Sequence, residues 1–459
     1  MLANSLLELD RDHLIHSVVS WIDHERRGVT VLQSADGVYV KDMEGHTLLD
    51  AFSGLWCVNV GYGRKSIVDV AAEQMARLPY ATGYFHFGSE PTIRLAAKLA
   101  EAAPGDLNHV FFTLGGSDAV DTALRFIRFH AHVTGRPDKQ HIISLDKGYH
   151  GSSSTGAGVT GLPAFHLNFD VPLPIHHHIP APYPYRHEAG PDAAAIIVAS
   201  VKALRDKVAE LGADKVAAFF CEPIQGSAGV IVPPTGWLTA MRETCRELGV
   251  LFVADEVITG FGRTGTMFGC EFEGVEPDLM TLAKGLTSGY VPMGAVLLSE
   301  KFYREIADGT PSGTVIGHGL TYSGHPVSAA VGLEVMRLYT EEGVLENGRK
   351  AGARFEPRLR ELADHPLVGD IRSRGLLAGV ELVTSKARKT KPDPALGLPA
   401  LLSQLGYANG LIFRAFTDGV VGFAPPLTCT DDEIDLIIER FKKTLDDALN
   451  TKEIRNALD

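Results

Sequence analysis

The apolar run VLFVADE, residues 250–256, ends on two adjacent carboxylates, Asp255 and Glu256. A second run, LMTLAK at 279–284, ends on Lys284 and is followed by glycine. A third segment, TLGGSDAVDTALRF at 113–126, passes from a strand-like start through Gly115, Gly116 and Ser117 into a helical pattern. Each places a reactive or anion-binding group where an apolar strand gives out. A carboxylate in a partly dry site holds a protonated partner strongly, so Asp255 suits a heterocyclic nitrogen kept cationic. A lysine there is costly as a bare ammonium, and forming an imine with a carbonyl removes that cost. Two glycines, a hydroxyl and a helix start cradle a small anion, because backbone N–H groups and the positive end of the helix converge. The segment matches neither GxGxxG nor GxxxxGK[ST], so a nucleotide label does not follow.

Each group also has a plainer reading. Ser117 can serve as a helix N-cap, with Asp118 in the favourable first turn. Asp255 and Glu256 can be a structural pair satisfied by backbone N–H groups or by Arg263. Lys284 can bury its stem and send its head to water. Alternation along the strand sends Asp255 and Glu256 to opposite faces, so one ligand meets only one of them. Taken together, an anion cradle, a carboxylate for a ring nitrogen and an imine-forming lysine are what pyridoxal 5'-phosphate requires. Tyr149, in KGYHGSSS at 147–154, adds an aromatic that either stacks on a flat ring or fills a core wall.

Groups at strand ends meet only if the strands share a sheet and a direction. Short apolar runs at 109–114, 141–145, 194–199, 216–222, 250–256, 279–284 and 293–299 predict seven strands. Helical patterns at 118–133, 201–211 and 235–248 lie between them, the last stopping at Gly249. This alternation predicts an α/β fold with a mostly parallel, doubly wound sheet. The spacing from Asp255 to Lys284 leaves room for a strand-to-strand crossover. Beyond the sheet, amphipathic helices at 344–364 and 431–450 and strand-like runs at 376–383 and 419–425 predict a smaller α+β domain. Residues 384–396 read as a surface excursion and 30–52 as a β-meander that pairs with the small domain. The expected division is an N-terminal segment 1–55, a large domain 56–330 and a small domain 331–459.

The 459 residues are 45% apolar and 22% charged, ordinary values for a globular chain. A formal charge of -13 disfavours a nucleic-acid footprint. Five cysteines without CxxC or close Cys/His spacing argue against a disulfide framework and a structural zinc. The run IHHHIP at 175–180 reads as a surface run, since three adjacent side chains cannot all point inward, and no metal site is expected. Cys57 beside Trp56 reads as packing. No basic leader and no long apolar span is found, which predicts a cytoplasmic protein away from the membrane.

With these residues in view, SGLWCVNVGYG, GGSDAV, GYHG, EPIQGSAGV, DEVITGFGRTG, LAKGLTSGYVPMGA and TYSGHP resemble the class III, fold type I aminotransferases, especially their ω-transaminase branch acting on amines with pyruvate. The resemblance runs over nearly the whole chain. It implies that Lys284 carries the cofactor as an imine, that Asp255 meets the pyridinium nitrogen, and that Gly116 and Ser117 hold the phosphate. It also implies that Tyr149 stacks on the ring, with Val257 on the opposite face and Glu222 near the phenolic side. Thr321 resembles a threonine that reaches a phosphate across a dimer interface, which implies a homodimer, or a tetramer built from it, with shared active sites. Trp56 resembles an aromatic lining the substrate pocket. Arg414 falls where that branch has a mobile arginine that pairs with the keto acid carboxylate and moves aside for an amine without one; its plainer reading is a rim salt bridge. Ornithine-processing relatives carry glutamine where Ile258 stands, so an aryl-alkyl amine, diamine or ω-amino acid donor is favoured. The alternative within the family is an aminomutase of the glutamate-1-semialdehyde type, which needs no separate keto acid.

Overall fold

The computed structural model describes residues 5–458. Its centre is a seven-stranded sheet of β4 (His109–Thr113), β5 (His141–Leu145), β6 (His176–Ile179), β7 (Val216–Cys221), β8 (Leu251–Asp255), β9 (Leu279–Leu282) and β10 (Gly294–Leu298). They lie in the order β4-β10-β9-β8-β7-β5-β6. Only β10 runs against its neighbours, β4 and β9; the pairings among β9, β8, β7, β5 and β6 are parallel.

Both faces of this sheet are covered, and alternation along each strand shows it. Phe219, Phe252, Met280 and Leu297 enter one buried cluster. Their chain neighbours Phe220, Val253, Leu279 and Val296 enter another with Val120, Leu124 and Ile127 of the helix Gly116–Val133. Continuous apolar strands therefore have no wet face. Among the described residues no helix is long and apolar enough to cross a membrane.

Two smaller sheets flank the large one. β1 (Leu32–Asp36), β2 (Tyr39–Asp42) and β3 (Thr47–Asp50) form an antiparallel meander. β13 (Leu411–Ile412) joins it parallel to β3, so distant parts of the chain share one sheet. The third sheet is antiparallel, in the order β11 (Val368–Arg374), β12 (Leu377–Leu382), β15 (Val420–Phe423), β14 (Arg414–Ala415). The helices Val344–Arg360 and Asp431–Leu449 pack on each other beside it.

Two sequence expectations are corrected. Residues 194–199 are not a strand but the start of the helix Ala193–Leu211. Asp192 caps that helix by accepting the Ala195 N–H at 2.8 Å. Its buried residues Ile196, Ser200, Leu204 and Val208 follow the helical period, which a six-residue apolar window is too short to reveal. The seventh strand is instead the histidine run, since His176–Ile179 pairs parallel to β5 at the sheet edge. Backbone groups make that ladder whatever the side chains are. His176 and Ile179 are buried while His177 and His178 are half-buried, so the run is part of the fold and not of the surface.

Candidate active site

The parallel strands deliver their C-terminal ends to one place, as open α/β sheets do. Thr281 on β9 pairs with Asp255 on β8. Lys284, three residues further, begins a short 3₁₀ turn at the same end. Glu222 follows β7 and Tyr149 and His150 follow β5. One cavity is lined by Gly116, Ser117, Tyr149, Glu222, Asp255, Val257 and Lys284, with Leu55, His150, Gly151 and Ile258 completing it.

Asp255 does not use Arg263 or a backbone cage. Its Oδ2 lies 2.8 Å from Nδ1 of His150, and its Oδ1 accepts the Val257 N–H at 3.1 Å. Both side chains are almost wholly buried. Burial pulls the imidazole toward neutrality, but the hydrogen bond and charge of Asp255, with Glu222 behind them, raise its pKa above the usual value. Glu256 turns to the other side of the strand, where it accepts the N–H groups of Gly269 and Cys270 at 2.8 and 2.7 Å and the Thr259 hydroxyl. Arg263 is spent on Asn59 Oδ1 at 2.7 Å and on the carbonyls of Leu376 and Pro425.

Lys284 makes no ion pair among the described residues, although Asp255 and Glu222 share its cavity. Burial lowers its pKa, and Cys57, Asp255 and Glu222 only partly oppose that. Its φ is +43°, an uncommon conformation for a residue with a side chain and one concentrated at functional sites. Glu222 is buried, accepts the N–H of Tyr149 at 3.0 Å and of Gly226 at 2.8 Å, and its pKa is pushed by burial up to about 7.

The helix Gly116–Val133 starts at this cavity with no side chain capping it. Ser117 is therefore not the N-cap; its Oγ accepts the Ser152 N–H at 3.2 Å instead. Space is kept there by two glycines. A Cβ on Gly116 would stand 3.1 Å from Val257, and one on Gly151, whose φ is +111°, would stand 2.8 Å from the Ser117 backbone. Free helix N–H groups, a hydroxyl and a bare backbone fit a phosphate, and the nearby lysine and carboxylate fit the other end of a pyridoxal ring.

The remaining expected residues lie around the cavity or away from it. Trp56 is buried and does not line it directly. It packs on Phe52 and Phe416, with ring centroids 4.6 and 6.3 Å away, in an apolar cluster that includes Ile258 of the cavity wall. Arg414 is exposed, with its guanidinium 5.6 Å from the centre of the Phe416 ring and no acidic partner among the described residues. Thr321 is exposed outside the cavity of its own chain, its carbonyl accepting the Tyr80 hydroxyl at 3.0 Å. The residue that sequence reasoning passed over is His150. It stands beside Tyr149 in the same motif, and the signal was a histidine at a strand exit near an expected carboxylate.

Comparison with known proteins sets this geometry in a family. The model of the class-III aminotransferases matches residues 22–445. The putrescine–pyruvate aminotransferase of Pseudomonas aeruginosa is 43% identical over 442 residues, 95% of each chain. The diaminobutyrate–2-oxoglutarate transaminase of Halomonas elongata is 36% identical, over 96% of this chain and 95% of its own. Among solved structures, an (S)-enantioselective ω-transaminase from Thermomicrobium roseum superposes with a TM-score of 0.94 at 40% identity, covering 97% of this chain and 98% of that one. The ω-transaminase of Pseudomonas jessenii in complex with PMP gives 0.95 at 38% identity, over 97% and 98%. The resemblance read from the motifs is borne out, and the chain belongs to the class-III aminotransferases, pyridoxal 5'-phosphate-dependent enzymes of fold type I.

Proposed function

We propose that the enzyme moves the amino group of a primary amine, of the aryl-alkyl amine, diamine or ω-amino acid class, to pyruvate, giving alanine and an aldehyde or ketone. The observation that carries this reading is the convergence of Lys284, Asp255 and the uncapped helix start at Gly116 and Ser117 on one cavity. The activities named for the relatives above support the choice of amine and keto acid. When bound, pyridoxal 5'-phosphate supplies a carbonyl that exchanges with amines and a ring that takes up the electron pair left at the donor carbon.

The chain's own residues divide the work. Lys284 Nζ, desolvated and so biased toward the neutral amine, would take the proton from the donor carbon and hand it to the carbon that was the cofactor's aldehyde. Asp255 holds a ring nitrogen in its protonated form, and His150 orients that carboxylate. Gly116 and Ser117 bind the phosphate, Tyr149 and Val257 bound the two ring faces, and Glu222 faces the phenolic side. Trp56 backs the substrate wall. Arg414, lacking an acidic partner among the described residues, pairs with the pyruvate carboxylate and swings out for an uncharged amine tail.

The working unit in this reading is a homodimer in the cytoplasm, with Thr321 of each copy reaching the phosphate in the other. Exposed apolar side chains including Tyr80, Phe85, Phe87 and Tyr322 support a covered surface. Five free cysteines support a reducing compartment. The deciding experiment follows the cofactor's absorption in half-reactions with aryl-alkyl amines, diamines, β-alanine and taurine, then adds pyruvate. Conversion by at least one donor class and reversal by pyruvate is expected. Repeated turnover without any keto acid, beyond one product per active site, would instead establish an aminomutase.

A further inference from the structure

Helices α1 (Leu6–His13) and α2 (Trp21–Arg27) lack what normally holds short helices in place. Neither buries a side chain, and at 8 and 7 residues both are too short to persist alone. What joins them is one carboxylate. Asp10 Oδ1 lies 2.7 Å from Nε2 of His16, and Asp10 Oδ2 lies 2.9 Å from Nε2 of His24. The two imidazoles face each other with centroids 4.2 Å apart. Asp10 comes from α1, His16 from the connecting turn and His24 from α2, and all three side chains are largely shielded from solvent. Their three ligand atoms lie within 4.8 Å of one another.

We infer that Asp10, His16 and His24 form a three-ligand site for a divalent transition-metal ion of the zinc class, which staples α1 to α2. Two imidazole nitrogens and one carboxylate oxygen are the donor set such ions take, with a fourth position left for water. The carboxylate offsets part of the ion's charge, and each imidazole Nε2 that carries no proton offers a lone pair. A hydrogen-bonded triad occupies the same two imidazole nitrogens and carboxylate, so ion and protons compete for them. The spacing Asp-x5-His-x7-His is not a familiar metal pattern, so no metal is expected from it. The ligands converge only once the turn between the helices folds back. The other acid–histidine cluster, Asp42, Glu44 and His46, differs: Asp42 already accepts the N–H groups of Glu44 and His46 at 2.9 Å, the His46 ring and the Tyr407 hydroxyl.

The test uses the cofactor-loaded full-length enzyme, stripped with a chelator and titrated calorimetrically with Zn²⁺. One ion per chain is expected in the wild type and in His46→Ala. Binding should be lost in His16→Gln and in His24→Gln, whose amides still donate to Asp10 but offer no imidazole nitrogen. A second readout is trypsin cleavage after Arg11, Arg26 and Arg27, which Zn²⁺ should slow in the wild type and leave unchanged in the two glutamine variants. An absent isotherm in the wild type, or glutamine variants that bind like it, would show a hydrogen-bonded triad only and overturn the assignment.

Discussion

His150 and Asp255 form a pair sealed from solvent, with Nδ1 of the one 2.8 Å from Oδ2 of the other. The pair links two strand exits, β5 and β8, and places its carboxylate in the cavity that also holds Lys284. The other imidazole nitrogen, Nε2, has no hydrogen-bond partner among the described residues. The ring's hydrogen bond therefore goes to Asp255, whose carboxylate is aimed by the ring and by the Val257 N–H. Replacing His150 by Phe removes the bond and keeps a flat ring of similar size. Turnover should fall on the order of 10- to 100-fold with cofactor still bound, as for other residues that orient a ligand group. Because Asp255 raises the pKa of His150, that stabilisation is fully present below the unfolded value of about 6.5 and is lost as pH rises through the higher folded value. The stability gap between wild type and His150→Phe should thus narrow from pH 6.5 upward, in urea melts at several pH values. A gap independent of pH would remove the charged imidazole from the account.

Lys284→Ala separates chemistry from architecture. The ammonium is destabilised by burial, which lowers its pKa. A group with a lowered folded pKa of this kind costs stability while charged, below the folded value, and the cost fades toward the unfolded value of 10.5. Removing it should leave the cofactor-free protein at least as resistant to heat at neutral pH, while turnover and the lysine-bound absorption band disappear. A thermal midpoint clearly below that of the wild-type apoprotein would mean the lysine is chiefly structural.

Arg414→Ala should divide the two half-reactions. Arg414 has no acidic partner to lose among the described residues, so the fold should be indifferent. A bidentate charge-assisted contact to a carboxylate is worth about 1.5–3 kcal/mol, roughly 10- to 150-fold in kcat/KM for pyruvate. An amine without a carboxylate should react unchanged. Single-turnover rates measured separately for amine and pyruvate decide it, and equal losses in both would exclude the switching role.

The sequence made the large sheet and its site legible because the two signals are local. An apolar run ending on a reactive residue marks a strand end, and parallel strands bring such ends together. Hence Asp255, Lys284, Ser117 and Tyr149 meet as their positions suggested. Glu256 was separable from Asp255 by strand alternation alone, and the structure puts it among the N–H groups of Gly269 and Cys270. What could not be read was contact across loops. His150 lies just past its strand, where alternation no longer fixes direction, so its bond to Asp255 depends on the path of the following turn. Thr160 helps set that path by accepting the His150 N–H at 2.8 Å and donating to the Gly151 carbonyl at 2.9 Å. The two misplaced strand readings share a cause: AAIIVA has strand composition but sits inside one helix, and HHHI lacks strand composition but completes the sheet.

That histidine strand carries the last prediction. His176 is 5% exposed, and neither ring nitrogen has a hydrogen-bond partner among the described residues. Its ring lies against the backbone of Gly158, where an added Cβ would come within 2.0 Å of Nδ1. Burial, reinforced by His178, His177 and His166, lowers its pKa from 6.5 to about 4. The imidazole is thus neutral in the fold while the unfolded chain takes a proton at 6.5, so acidification from 6.5 to about 4 favours the unfolded side. At about 1.36 kcal/mol per pH unit, the loss from this one residue is at most about 3.5 kcal/mol. His141, His177 and His178, also lowered by burial, add to it in the same direction. The edge position of the strand means the effect should appear as local opening before global unfolding. Hydrogen exchange over 176–179 should accelerate as pH falls from 6.5 to 4.5, after correction for the intrinsic rate, and His176→Phe should blunt that acceleration. If wild type and variant lose protection in parallel across the window, protonation of His176 is not what loosens the edge.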